Sequence, residues 1–227
     1  MKLKLNKPFL SHLKVCGIFA ACCLRLTAFS QDVNPLLKNV KDKLDKVNDY
    51  VAEGRMRTDV AFIKAPAGNV KIFYKRPNKL KLKRGGGISL LPKGGISANM
   101  SSLLSDGDYV ALAAGESTIG PIKVRVIKLL PTKENSDIVL TTLYIDEANL
   151  LIRKASTTTK ENGTYETEMS YGKYSQYGLP DKVIFSFNTK NFKLPKGLTM
   201  EFDGDKKKTD VERMKNKKGK IEISYSA

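Results

Sequence analysis

Val70, Ile72 and Tyr74 alternate with Lys71, Phe73 and Lys75; beyond Arg76-Pro77-Asn78, Leu80 and Leu82 alternate with Lys79, Lys81 and Lys83. A period of two puts successive side chains on opposite faces of a strand. The short break between the runs predicts an antiparallel hairpin within Asn69–Pro92, apolar on one face and basic on the other except for Phe73. That apolar face needs a cover. Upstream, Leu36, Leu37, Val40, Leu44, Val47 and Val51 recur at three- and four-residue steps, which predicts an amphipathic helix over 35–49. Asn34 reads as its N-cap and Pro35 as its first helical residue. From Tyr50 to Ile63 the pattern turns extended, with Met56, Thr58, Val60 and Phe62 on one face.

Further strands are predicted over 88–91, 109–113, 122–126, 137–145, 149–159, 164–174, 183–187 and 221–225. Asp146-Glu147-Ala148 reads as a tight turn and Asn162-Gly163 as a hairpin turn. Gly115 to Pro121 reads as a loop, and 206–220 as a charge-dense loop or edge. Met100, Leu103 and Leu104 sit at helical spacing within a short helix over 97–105. Gly85 to Gly87 mark a corner or bulge; they lack the Lys-Ser/Thr that would follow in a phosphate loop. Ile122, Val124 and Val126 alternate with Lys123 and Arg125, repeating the apolar-versus-basic pattern of the first hairpin. Helices and strands do not alternate, so no parallel nucleotide-binding sheet is implied. The expected fold is mainly β with helices: one large antiparallel sheet, strongly curved and unclosed as a half-barrel, with helices over its opening.

The N-terminus changes the chemistry on offer. Lys2, Lys4, Lys7 and Lys14 precede an apolar run, Val15 to Leu24, that is too short for a stable transmembrane helix. Ala28-Phe29-Ser30 offers small residues for cleavage before Gln31, so 1–30 reads as an export signal and 31–227 as a single domain. The alternative is lipidation at Cys22, after Phe19-Ala20-Ala21. The cysteines (Cys16, Cys22, Cys23) and the one histidine (His12) all precede Gln31. A chain starting there has no thiol nucleophile, no Ser-His-Asp triad and no ordinary zinc site. It also loses five basic residues and no acidic ones, so the formal charge falls from +17 to +12. An enzyme is not expected, and neither is a cofactor. Nucleic acid is a poor partner for an exported chain with no recognition motif.

Four stretches, in this order and spacing, resemble the LolA group of periplasmic lipoprotein carriers in the LolA/LolB fold. They are the N-terminal helix running into a strand over 47–63; Tyr74-Lys75-Arg76-Pro77-Asn78-Lys79-Leu80; Leu143-Tyr144-Ile145-Asp146 followed by Asn149-Leu150-Leu151-Ile152-Arg153-Lys154; and Tyr174 with Gly178-Leu179-Pro180-Asp181. The chain departs from the best-known members in lacking Trp. Arg55 and Arg57 match the family's lid-locking arginine by position only.

The resemblance implies a half-barrel with a helical lid over a hydrophobic cavity that takes acyl chains. The implied function is a periplasmic carrier that moves lipoproteins, or other lipids, toward the outer membrane. The implied partners are the acylated cargo, an inner-membrane ABC transporter and an outer-membrane acceptor, with the protein acting as a monomer. The alternatives are a binding or sensor module of the same fold, and an anchored LolB-like receptor. On this reading Met56, Val60, Phe62, Val70, Ile72, Tyr74, Leu80, Leu82, Val124, Val126, Phe185 and Phe187 are the candidate cavity wall. Leu36, Val40, Leu44, Val47, Met100 and Leu103 are the candidate lid. An apolar strand face under a helix is ordinarily plain core, so pattern alone leaves the hollow open. The basic residues Lys79, Lys81, Lys83, Lys123 and Arg125 read either as a solvated face or as a contact for acidic partners or anionic membrane.

Overall fold

The computed structural model describes residues 32–60, 67–76, 79–84, 104, 108–188 and 218–226. The chain divides into two units, 1–31 and 32–227, and every described residue falls in the second. The expected strand over 88–91, the Gly85–Gly87 corner, most of the helix over 97–105 and most of the charged stretch over 206–220 lie outside the described residues, as do Phe62, Met100 and Leu103.

The order is helix α1 (Asn34–Leu44) and then β1 (Asp49–Asp59), β2 (Gly68–Lys75), β3 (Lys79–Arg84), β4 (Tyr109–Ile119), β5 (Ile122–Pro131), β6 (Ile138–Asp146), β7 (Leu151–Thr159), β8 (Gly163–Ser170), β9 (Lys182–Asn188) and β10 (Lys218–Tyr225). The strands form one ten-stranded sheet in the order β3-β2-β1-β10-β9-β8-β7-β6-β5-β4, with every neighbouring pair antiparallel. Two meanders, β1 to β3 and β4 to β10, are joined where the last strand pairs with the first. The sheet does not close, because β3 and β4 end it. This is the mainly β, unclosed antiparallel architecture expected from the alternation.

Register assigns the two faces. Ile127, Leu143, Ala155, Thr167, Phe185, Ile221 and Thr58 lie opposite one another from β5 to β1 and define the inner face. Val126, Tyr144, Lys154, Glu168, Ile184, Glu222 and Arg57 form the matching outer row. Helix α1 lays Leu37 and Val40 on the inner face, where they are buried with Ile127, Leu129, Leu143, Ile145 and Val183. Each such side chain contributes about 1.5–3 kcal/mol on burial. Leu104 is buried in the same cluster.

The helix is shorter than its periodicity suggests. Its cap residue is Val33, whose carbonyl accepts from Leu37 N–H at 3.1 Å. Asn34 is its first residue and donates both its N–H and its side-chain amide to Asp32. It ends at Leu44 because Asp49 is already paired with Lys75 in the sheet. Val51 therefore lies on β1, facing outward and 58% exposed, although its spacing fits the helix. Strand β4 also runs further than expected. Gly115, at φ 87, absorbs a register shift between Ala113 and Glu116, so a stretch that reads as a loop is a bulged strand.

Candidate functional site

A cavity of about 600 Å³ opens between the C-terminal end of α1 and the inner face of the sheet. On the helix side it is lined by Val40, Leu44 and Val47. The floor combines Tyr50, Ala52 and Tyr74 from β1 and β2 with Ile152, Met169 and Val183 from β7 to β9. The rim is the Tyr171–Asp181 connection, where Ser175–Tyr177 make a turn of 3-10 helix and Gly178 follows at φ 68. A wall of this kind is apolar with a few polar tips, as small-ligand sites are, and its volume falls within their usual range of about 300–1,000 Å³.

The cavity lies between two packed regions. One is the cluster under α1; the other holds Met56, Val60, Val70, Ile72, Phe185, Phe187, Ile221 and Ile223. Tyr225 packs against both and lines the cavity. Tyrosines supply much of the remaining wall. Tyr50 and Tyr74 stack tilted, with ring centroids 5.2 Å apart. Burial pushes the Tyr50 hydroxyl up to about 12, with Tyr74 adding to the shift. Burial likewise raises Tyr225 and Tyr171. Tyr171 donates to the Ile152 carbonyl at 2.7 Å, which fixes its ring at the rim. These phenols are neutral at neutral pH and offer dipoles, while the carboxylates of the lining are Glu53 and Asp181. Among the described residues, no group of three or more His, Cys, Asp or Glu could hold a metal, and no helix is long and apolar enough to cross a membrane.

The residues singled out from the sequence divide into three sets. Tyr74 and the lid residues Val40, Leu44 and Val47 line the cavity. Leu36 is partly buried against the cluster under α1. Met56, Val60, Val70, Ile72, Phe185 and Phe187 share the inner face but are packed against one another, with Leu80 and Leu82 at their margin. The Tyr165, Phe185 and Phe187 rings stack at 5.1 and 5.5 Å, which fills that end of the sheet. Val124 and Val126 are buried on the outer face, since Val126 pairs with Tyr144 while Ile127 and Leu129 turn inward. Arg125, expected on the basic outer face, shares the inner face with Ile145 and is held by Glu147 at 3.0 Å and Glu116 at 3.4 Å. Arg55 and Arg57 are exposed on the outer face, so neither reaches the helix. Arg76 does: its guanidinium donates to the Asp45 carbonyl at 2.8 Å.

Tyr50, Ala52, Ile152, Met169 and Tyr225 are wall residues that pattern reading passed over. Tyr165, Thr167 and Met169 alternate along β8, and Ile221, Ile223 and Tyr225 along β10, so the face they share was legible. Which of them border a hollow was not.

No family model and no curated protein matches the chain by sequence. Among solved structures it is similar in fold to a DUF1329 family protein from Desulfovibrio piger, with 13% identity over 86% of this chain and 91% of that one and a TM-score of 0.52. A LolA superfamily protein from Nitrosomonas europaea aligns over 84% of this chain and 91% of its own, with 13% identity and a TM-score of 0.47. A domain assigned to outer-membrane lipoprotein sorting, from Vibrio parahaemolyticus, aligns over 85% and 89%, with 11% identity and a TM-score of 0.47. At 13% identity the likeness to the Desulfovibrio piger protein is one of fold alone.

Proposed function

We propose that the protein is an envelope carrier that takes acyl chains of lipoproteins, or of other lipids, into the cavity beneath α1 and moves them toward the outer membrane. The observation that carries this reading is the open apolar hollow of about 600 Å³ at a place where a sheet and its covering helix would ordinarily close. Each methylene transferred into such a hollow contributes about 0.8 kcal/mol. A sixteen-carbon chain would give roughly 10 kcal/mol before the costs of ordering are subtracted. No bond need be made or broken. A donor complex in the inner membrane, an acceptor in the outer membrane and removal of 1–30 on export belong to the same proposal.

Ala52 tests it. It lies on the inner face of β1, opposite Ile72, and lines the cavity. Ala52→Trp would fill the hollow without removing a core side chain. Displacement of a fluorescent fatty acid should weaken at least tenfold in the folded variant, and Leu179→Glu at the rim should do the same. Unchanged probe binding in both, with native thermal melts, would sink the proposal.

A further inference from the structure

The outer face of β1–β3 is built unlike the rest of the sheet. Three cross-strand rows lie there: Lys79, Lys75 and Asp49; Lys81, Phe73 and Val51; Lys83, Lys71 and Glu53. Five cations meet two carboxylates, and Glu53 is already held by Lys71 at 2.9 Å. At the centre sits an apolar pair. Val51 is 58% exposed. The Phe73 ring has the Lys83 ammonium 5.4 Å and the Lys71 ammonium 6.0 Å from its centroid. Elsewhere on the outer face, Lys154 meets Glu166 at 2.9 Å and Glu168 at 3.9 Å, and Lys182 meets Glu222 at 2.9 Å.

Lysines on the edge strand β3 have an ordinary use, since they discourage pairing with other chains. That accounts for Lys79, Lys81 and Lys83 but not for Lys71 and Lys75, which lie on the covered strand β2. Nor does it account for an exposed valine beside a half-buried aromatic ring within the lysines. An aromatic ring flanked by long amphipathic cations suits one kind of surface, a bilayer whose headgroups are anionic. There the ammonium groups meet phosphates while the ring and the lysine stems reach the acyl boundary. An acidic protein would satisfy the charge but leave the flat, ring-centred row without a deep counterpart.

We infer that the outer face of β1–β3 is a docking surface for anionic phospholipid bilayers. Its cross-strand rows lie on the face of the sheet opposite the inner row, and at their β1 end Val51 and Glu53 border the edge of the cavity. Docking through it would leave α1 and the cavity side turned away from the headgroups.

Vesicle co-sedimentation tests this, using the protein in the N-terminal form in which it is purified and vesicles of phosphatidylcholine with or without one-third phosphatidylglycerol. Expected is retention by the anionic vesicles that exceeds retention by the neutral ones and falls as salt is raised. Removing a lysine near such a surface weakens partitioning by about fivefold. The triple change Lys79→Gln, Lys81→Gln and Lys83→Gln should therefore lower it by more than tenfold with an unchanged melting temperature. Phe73→Ser should lower it on both vesicle types. Lys128→Gln, Lys160→Gln and Lys218→Gln together, on other parts of the sheet, should not. Equal binding to neutral and anionic vesicles, equal losses in the two triple variants, or retention by polyglutamate with none by anionic vesicles would each overturn the assignment.

Discussion

Asp146 accepts the Nε and Nη2 hydrogens of Arg153 at 3.2 and 2.8 Å, with 3% of the aspartate side chain and 16% of the arginine exposed. The pair sits at the base of the β6–β7 hairpin. The carboxylate also receives the Asn149 backbone N–H and side-chain amide, so it fixes the turn as well as the strands. Leu150 completes that turn at φ 52. Arg153 in turn packs over the Tyr171 ring at 5.3 Å, which links the hairpin to the cavity rim.

Burial alone would push the Asp146 carboxyl up. Its hydrogen bonds from Arg153 and Asn149, with the arginine charge, outweigh that and hold it below the ordinary range. A carboxyl whose folded value is depressed contributes stability at neutral pH that is lost as pH falls through and below the ordinary carboxylate value of about 3.9. Asp146→Asn should therefore flatten the acid limb of the stability curve. Arg153→Met leaves a buried carboxylate without its partner and should cost about 3–5 kcal/mol at pH 7. Urea titrations at pH 7 and at about pH 3, below the ordinary carboxylate value, check both. A loss in Arg153→Met that is small at pH 7 would show that the pair is solvated.

Gly178 follows the Ser175–Tyr177 turn at φ 68, and a Cβ there would lie 2.7 Å from Leu44 Cδ2. Two costs would add in Gly178→Ala: a left-handed backbone for an L-residue, about 1–2 kcal/mol, and displacement of the Leu44 side chain. Leu44 lines the cavity, so the change should also alter acyl-probe affinity. Leu44→Ala in the same chain should relieve the steric part only. A double-mutant cycle on urea stability reads the coupling, and strict additivity would show that the two residues do not press on each other.

Alternation exposed the ten strands of the sheet and their antiparallel direction, while the further strand expected over 88–91 lies outside the described residues. Face assignment was legible where one face is apolar and the other charged, as in Val70, Ile72 and Tyr74 against Lys71 and Lys75. It failed on β5, where Ile122, Val124 and Val126 are followed directly by Ile127 and Leu129, so both faces are apolar and either parity reads as inner. Arg125, facing inward at the strand's end because Glu116 and Glu147 receive it, deepened the ambiguity. The pairing of β10 with β1 left no local trace, since it depends on contacts far apart in the chain. The cavity is less legible still. Phe185 and Tyr74 both carry the inner-face pattern, yet only Tyr74 borders the hollow, because a hollow is set by the gap between layers and not by the period along one strand.

Strand β4 ends the sheet with Val110 and Leu112 51% and 49% exposed, beside Leu130 at 39%. Val110 pairs with Leu130, so these form one outward apolar strip, and β4 carries no lysine to blunt its edge. Such edges invite pairing between chains. Val110→Lys with Leu112→Lys should lower concentration-dependent association, measured by light scattering after size exclusion at about millimolar protein. An equally monomeric parent and variant at that concentration would show that the edge is inert.

The last prediction concerns how firmly the helix is held. Among the described residues, two side-chain ties join the end of α1 and the turn that follows it to the sheet, beside the Arg76 N–H bond to the Asn48 carbonyl: Lys43 Nζ donates to the Asn149 carbonyl at 2.6 Å, and the Arg76 guanidinium donates to the Asp45 carbonyl at 2.8 Å. Both are exposed, so each contributes modestly, about 1 kcal/mol. Burial is the main cause lowering the Lys43 pKa, followed by repulsion from Lys46, so its tie is made against an opposing cost. The apolar contacts of Leu37 and Val40 remain when the ties are cut. Lys43→Met and Arg76→Met should each speed hydrogen exchange at the α1 amides by about fivefold, while exchange in β6 and β7 stays unchanged. The double variant should release a bound fatty-acid probe faster than either single one. Uniform acceleration across the sheet would mean that the ties stabilise the whole fold. No acceleration at α1 would mean that packing alone holds the helix over the cavity.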